Sequence, residues 1–147
     1  MKSKIEIKQL ERADLANYKQ LIDACFGSSE SLEVYSEIFA EDKNYKIFVA
    51  DLRGQMVGAV TVVAADLFTF SNRPFLMLFD VCVLDEYRKS GVGLQLMEYV
   101  KAYGLENKYK SINMTCLESA IPAHGLYEKA GFVKTDSRKY SIDLNTL

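Results

Sequence analysis

Residues 80–97 combine an apolar run, a polar loop and the start of an amphipathic helix. A helix that begins at such a loop directs unpaired backbone N–H groups and the positive end of its dipole toward the loop. Gly91 and Gly93 let a ligand approach the backbone closely, and Arg88 and Lys89 add positive charge. The segment therefore predicts a binding site for a phosphate or pyrophosphate group.

Glycines at this spacing also occur in other loops. The dinucleotide-binding fingerprint needs a third glycine and a place after the first strand, and this loop has neither. The nucleotide P-loop places its lysine after the glycines, whereas Lys89 precedes both. A plain strand-to-helix turn, which uses glycine only for its backbone freedom, stays open as an alternative. The charge of Arg88 and Lys89 favours the anion site over that turn.

A second segment, residues 120–132, reads Ala-Ile-Pro-Ala-His-Gly-Leu-Tyr-Glu-Lys-Ala-Gly-Phe. Together the two segments resemble the GNAT family of acetyl-CoA-dependent N-acetyltransferases. The family's loop pattern, Arg/Gln-x-x-Gly-x-Gly/Ala, is matched by Arg88, Gly91 and Gly93, and its later Leu-Tyr-Glu-Lys-x-Gly-Phe by residues 126–132. The resemblance implies an α/β fold of the α+β type, with a mixed, mostly antiparallel central sheet of about six to seven strands and about four helices.

For the acyl donor, the resemblance implies acetyl-CoA. Its pyrophosphate would lie over the glycine loop, and its pantetheine arm would pair with the backbone of a bulged, splayed central strand. The implied cofactor-binding residues are Val81, Cys82, Val83, Arg88, Lys89, Ser90, Gly91, Val92, Gly93 and Tyr127.

The resemblance also implies direct attack of a neutral amine on the thioester within a ternary complex. Tyr127 matches the family tyrosine that donates a proton to the departing thiolate as a general acid. The alternative is that Tyr127 only packs its ring between the helix and the sheet. Asp80, at the start of the expected bulge, is the best-placed carboxylate for a general base. The alternative is that Asp80 pairs with a cation or faces solvent.

Two further side chains near these residues carry reactive groups. Apolar neighbours should raise the pKa of the Cys82 thiol and keep it inert. His124, the only histidine, lies one helical turn before Tyr127 and could relay protons. A plain surface residue is the favoured interpretation of His124.

The expected acceptor is the primary amine of a small molecule or a peptide. The helices before residue 40 and the connection at residues 66–73 should shape its pocket. Ala120 departs from the family, which often has an asparagine there to help hold the cofactor arm. A non-catalytic coenzyme A-binding or regulatory module of the same fold is therefore the alternative function.

The apolar pattern predicts the elements that position these residues. Strands are predicted at residues 5–9, 46–52, 56–65, 74–84 and 111–117, with two closing strands from residue 132 and at residues 139–144. Helical spacing predicts helices at residues 13–26, 32–39, 92–105 and 120–131.

The composition indicates one globular domain over residues 1–147, with 49% hydrophobic and 26% charged residues. The net charge of −2 argues against nucleic acid as a partner. Three widely spaced cysteines fit neither a disulfide framework nor a zinc site, so we expect a reducing, cytoplasmic setting and no metal. We expect no signal peptide and no membrane partner, because no apolar run is long enough for either. Family members are often dimers, which makes a homodimer an open expectation.

Overall fold

The computed structural model describes residues 4–39, 44–66 and 74–147. The chain separates into two compact units, Met1–Met114 and Thr115–Leu147. One domain over the whole chain stays a prediction. Most of the connection expected at residues 66–73 to shape the acceptor pocket lies outside the described residues.

The first unit is built on a five-stranded sheet with the strand order β1-β2-β3-β4-β5. The strands are β1 (Glu6–Gln9), β2 (Tyr45–Leu52), β3 (Gln55–Ala65), β4 (Phe75–Val83) and β5 (Ile112–Asn113). The first four strands pair antiparallel, and β5 joins β4 in parallel. A parallel pair needs a crossover connection, and the helix between β4 and β5 supplies it. The predicted mixed, mostly antiparallel sheet of an α/β fold is confirmed.

The helices also follow the predicted pattern. They are α1 (Leu15–Phe26), α2 (Leu32–Ile38) and α3 (Val92–Glu106) in the first unit and α4 (Ile121–Lys129) in the second. Gly27, at φ 67°, ends α1 as a left-handed cap, and Ser31 begins α2 by accepting the N–H of Val34 at 3.4 Å. Within the described ranges, no helix has the length and hydrophobicity needed to cross a membrane.

Arg12 holds the end of the short helix α2. Its guanidinium donates to the carbonyl oxygens of Ser36 at 3.1 Å and Phe39 at 3.0 Å, and it lies 5.3 Å from the centre of the Phe39 ring. A helix of this length is marginal by itself, so a cation on its last carbonyl groups stabilises it. Arg12 thereby fixes one of the helices that were expected to shape the acceptor pocket.

The two faces of the sheet pack against different helices. On the α1 face, helix and strands share a buried cluster that includes Leu15, Tyr18, Leu21, Val49, Ala59 and Cys82. On the α3 face, Phe48 packs edge-to-face against Tyr99 and Tyr103, with ring centroids 5.0 and 5.1 Å away. Because successive side chains of a strand alternate between faces, Phe48 and Val49 mark the two sides of β2.

Gly58 marks a close approach of β3 to α3. An added Cβ would lie 3.0 Å from the Cys82 carbonyl oxygen, 3.0 Å from Val92 Cγ1 and 3.2 Å from Leu96 Cδ1. We therefore expect Gly58→Ala to lower the free energy of unfolding by about 1–3 kcal/mol through overpacking, measured by urea denaturation. The control is Gly104→Ala in α3, where an added Cβ would meet its nearest neighbour at 3.6 Å. Equal losses in the two variants would contradict overpacking as the cause.

Among the residues that the structure describes, five strands form the sheet where about six to seven were expected. The closing strands predicted from residue 132 and at residues 139–144 are not present; a short 3-10 turn, Leu144–Thr146, ends the chain instead. Tyr140 and Ile142, which alternate as in a strand, are 89% and 67% exposed. Alternation produces a strand only where a neighbouring strand offers a backbone ladder, and no described residue pairs with this segment.

Candidate active site

β4 carries a bulge in its second half. β3 and β4 pair regularly at Thr61–Phe79 and at Ala59–Cys82, so that two residues of β4 oppose one residue of β3 in between. One of these two is Asp80, whose φ of 52° lies in the left-handed region that strains a non-glycine residue. The structure thus places Asp80 at the bulge that the resemblance implied.

Beyond Met77, one side of β4 has no strand partner among the described residues. β5 pairs with β4 only at Leu76 and Met77, while β3 pairs along the opposite side. The predicted cofactor-binding stretch, residues 81–83, lies on this unpaired part of β4. An extended ligand can add to such an edge through backbone hydrogen bonds.

Polar contacts hold the loop that follows β4. A 3-10 turn, Asp85–Tyr87, comes first, and the Tyr87 hydroxyl donates to Gln55 Oε1 at 3.0 Å. Arg88 Nε forms an ion pair with Asp85 Oδ1 at 3.2 Å, and both side chains are exposed. An exposed pair contributes at most about 1 kcal/mol, so Arg88 can leave Asp85 for a phosphate group.

The N-terminus of α3 is open toward this loop. Gly91 is the N-cap residue at φ 90°, and no side chain caps the helix. The Gln95 N–H donates to the Gly91 carbonyl oxygen at 3.0 Å, so the helical N–H groups before it lack such a partner within the helix. Lys89 also has a positive φ, 63°, which helps curve the backbone into an anion-binding concavity. These donors, together with Arg88, fit a pyrophosphate group.

Of the predicted site residues, Tyr127 alone lies in the second unit, on α4. Its ring packs edge-on against Phe132, with the ring centroids 6.0 Å apart. Burial raises the pKa of Tyr127 to about 12, and the nearby Cys116 thiol adds to the rise. The hydroxyl is therefore protonated at neutral pH and can donate a proton. The ring contact fits the packing role as well, so the catalytic role of Tyr127 stays a prediction.

His124 and Cys82 are the two other side chains with reactive groups, and each lies against a neighbouring group. His124 Nε2 donates to the Leu117 carbonyl oxygen at 2.8 Å, which ties the imidazole to the backbone before α4. Burial raises the pKa of the Cys82 thiol, and the neighbouring Cys25 thiol, its hydrogen-bond partner, raises it further. The raised pKa agrees with the reason given for an inert Cys82, and the inertness itself stays a prediction.

Sequence reasoning did not single out Tyr18 and Thr61 for this site. Tyr18 belongs to the apolar stripe of α1, and Thr61 lies within the apolar strand β3. In the structure Tyr18 is buried on the α1 face of the sheet, where burial raises the pKa of its hydroxyl and the Thr61 side chain lowers it. The available signal was Thr61 itself, a single hydroxyl in an otherwise apolar run.

The chain matches the family model described as the Acetyltransferase (GNAT) family over residues 15–132. Because the match covers most of the chain, the protein belongs to the GNAT family, as the sequence resemblance indicated. It is an N-acetyltransferase of the acetyl-CoA-dependent class, so its acyl donor is carried on coenzyme A.

The individual proteins that this chain resembles are also named as acetyltransferases. An uncharacterized N-acetyltransferase of Archaeoglobus fulgidus is 26% identical over 115 residues, which cover 72% of this chain and 78% of the relative. The aminoglycoside acetyltransferase meta-AAC0020 from an uncultured soil metagenomic sample has a TM-score of 0.83 at 19% identity, covering 95% of this chain and 96% of that one. The aminoglycoside N-acetyltransferase AAC(6')-Iy, solved in complex with CoA, has a TM-score of 0.82 at 16% identity, covering 98% and 97%. At these identities the two solved structures show a shared fold alone.

Proposed function

We propose that this enzyme transfers an acetyl group from acetyl-CoA to a primary amine by direct attack within a ternary complex. The observation that carries the proposal is the uncapped N-terminus of α3, with Gly91 at φ 90°, close in sequence to an unpaired strand edge. Coenzyme A suits this pair of features, because a pyrophosphate needs clustered N–H donors and an extended arm needs a free edge.

On the donor side, backbone N–H groups of residues 88–93 bind the pyrophosphate, and Arg88 exchanges Asp85 for it. The backbone of residues 81–83 pairs with the pantetheine arm as an added strand would. This arrangement brings the thioester to the bulge. A strand N–H aimed at its carbonyl oxygen stabilises the charge that develops there during attack. The CoA complex of AAC(6')-Iy supports this donor.

On the acceptor side, Asp80 removes a proton from the ammonium group so that the neutral amine attacks. Asp80 is exposed and forms no ion pair with any described residue, which leaves its carboxylate available. Tyr127 then donates its hydroxyl proton to the departing thiolate. The aminoglycoside acetyltransferases of similar fold support a small-molecule amine as the acceptor. A homodimer stays a prediction.

Two measurements on the wild-type protein test this function. Isothermal titration with coenzyme A measures donor binding, and release of the free thiol measures turnover with a panel of amines. We expect coenzyme A to bind and at least one primary amine to release thiol well above the rate without amine. Binding without any turnover would favour the non-catalytic module, and absence of binding would overturn the assignment of the loop.

A further inference from the structure

A histidine side chain ties the first turn of α4 to the chain before it, within the second unit. His124 Nε2 donates to the Leu117 carbonyl oxygen at 2.8 Å, and the same oxygen accepts the Ala120 N–H at 3.0 Å. Ala120 is the N-cap residue, and its methyl group cannot accept a helical N–H, so α4 begins without a side-chain cap from any described residue. The imidazole therefore links this helix end to the turn at residues 117–120.

The last turn of α4 is closed by its own backbone. Gly131 has a φ of 97°, and its N–H donates to the Glu128 carbonyl oxygen at 3.0 Å. The Phe132 N–H donates to the Tyr127 carbonyl oxygen at 3.0 Å, which completes a Schellman motif. The ring contact between Phe132 and Tyr127 is the apolar contact that often accompanies this motif. Tyr127 is thus held from the C-terminal side of the helix.

His124 acts on the helix from the opposite end. It lies three residues before Tyr127, one turn away on α4. A helix of nine residues is marginal by itself, so the contacts at its ends determine where its side chains lie. Because a carbonyl oxygen can only accept a hydrogen bond, Nε2 carries the proton in the contact with Leu117. A proton relay through Nε2 would break this contact, whereas a positioning role keeps it.

We propose that His124 is a positioning residue for the transfer reaction: its hydrogen bond to the Leu117 carbonyl oxygen fixes the turn of α4 that carries Tyr127. This inference rests on the proposed function, because it takes the Tyr127 hydroxyl as the proton donor to the departing thiolate. His124 itself contacts neither substrate and gives up no proton. It holds the first turn of α4 in place, while the Schellman motif holds the last.

His124→Leu and His124→Gln test the hydrogen bond. Leucine removes the donor and keeps a side chain of similar size, whereas glutamine carries an N–H donor at the end of its side chain. We expect His124→Leu to lower kcat by about tenfold to about a hundredfold, since a displacement of ~1 Å can cost that much, with an unchanged KM for acetyl-CoA. His124→Gln should keep kcat within a few-fold of wild type. Equal losses in the two variants would contradict the hydrogen bond as the cause.

Gly125→Ala separates positioning from the general stability of α4. Gly125 lies inside the helix, and an added Cβ there would meet nothing within 4 Å. Alanine is the better helix former by about as much as one hydrogen bond contributes, so Gly125→Ala should restore the thermal stability of His124→Leu. We expect kcat of that double variant to stay low. Recovery of kcat together with the stability would overturn the positioning role.

Combining His124→Leu with Tyr127→Phe shows whether the two residues act as one unit. If His124 acts only through Tyr127, the double variant should have the kcat of Tyr127→Phe alone. A further loss in the double variant, or a wild-type kcat in His124→Leu beside a slow Tyr127→Phe, would overturn the positioning role and leave the proposed reaction in place. A wild-type kcat in Tyr127→Phe would overturn the proton donor of the proposed reaction, and this inference with it.

Discussion

Replacing Tyr127 by phenylalanine is expected to lower kcat about 10²–10⁴-fold, the usual contribution of a general acid, with an unchanged Kd for coenzyme A. The substitution removes only the hydroxyl and keeps the ring that contacts Phe132 at a centroid distance of 6.0 Å. The thiolate would then leave without its proton donor. Steady-state thiol release measures kcat, and isothermal titration measures the Kd.

The pH dependence provides an independent check on the same residue. Because the pKa of Tyr127 is raised to about 12, its hydroxyl stays protonated through neutral and moderately alkaline solution. The donor form is lost only as the pH approaches that value, so the kcat profile should have no basic limb from this group below about pH 10.

Tyr140→Phe is the matched control, since Tyr140 lies in the same unit and is 89% exposed. It should keep the wild-type kcat. If Tyr127→Phe also keeps kcat within a few-fold of wild type, Tyr127 serves packing alone and another group protonates the thiolate.

Gly91→Ala is expected to weaken coenzyme A binding about tenfold or more. At φ 90° a side chain at this position is strained by about 1–2 kcal/mol, so the loop should relax and its N–H groups should no longer converge on the pyrophosphate. Isothermal titration of coenzyme A gives the Kd. Arg88→Ala, which leaves the backbone intact, should weaken binding less and reduce its dependence on salt.

Gly27→Ala separates this effect from a general loss of stability. Gly27 has a φ of 67°, and an added Cβ would meet nothing within 4 Å, as at Gly91. Both variants should therefore lower the free energy of unfolding by a similar amount, while only Gly91→Ala changes the Kd. A Kd that stays at the wild-type value in Gly91→Ala would remove the pyrophosphate from this loop.

The loop and its helix were predictable because their signals are local. The expected start of the helix at residue 92 agrees with α3, which begins at Val92. Glycine, charge and apolar spacing within a few residues determine a helix N-terminus, whatever the rest of the chain does. The bulge was placed at Asp80 by family resemblance, since no local pattern distinguishes a residue that adopts a positive φ inside a strand.

The acceptor side was not predictable in the same way. Tyr18 packs with Ala59 and Cys82 only because α1 lies on the face of the sheet to which the β3–β4 register assigns these two residues. Sequence alone showed Tyr18 as one more residue of an apolar stripe. The prediction of the two closing strands was wrong for a related reason. The alternation through Tyr140 and Ile142 is a local pattern, whereas a strand needs a neighbouring strand to pair with.

Among the described residues, no strand pairs with one side of β4 beyond Met77, and this free edge has a cost for the enzyme without its donor. An unpaired strand edge is a template on which a second polypeptide can add and start aggregation. In the proposed complex the pantetheine arm covers that template, and donor at a hundredfold excess over its Kd would raise the stability by about 2.7 kcal/mol. The bound donor would then protect the enzyme from aggregation, because it covers the strand edge that catalysis needs.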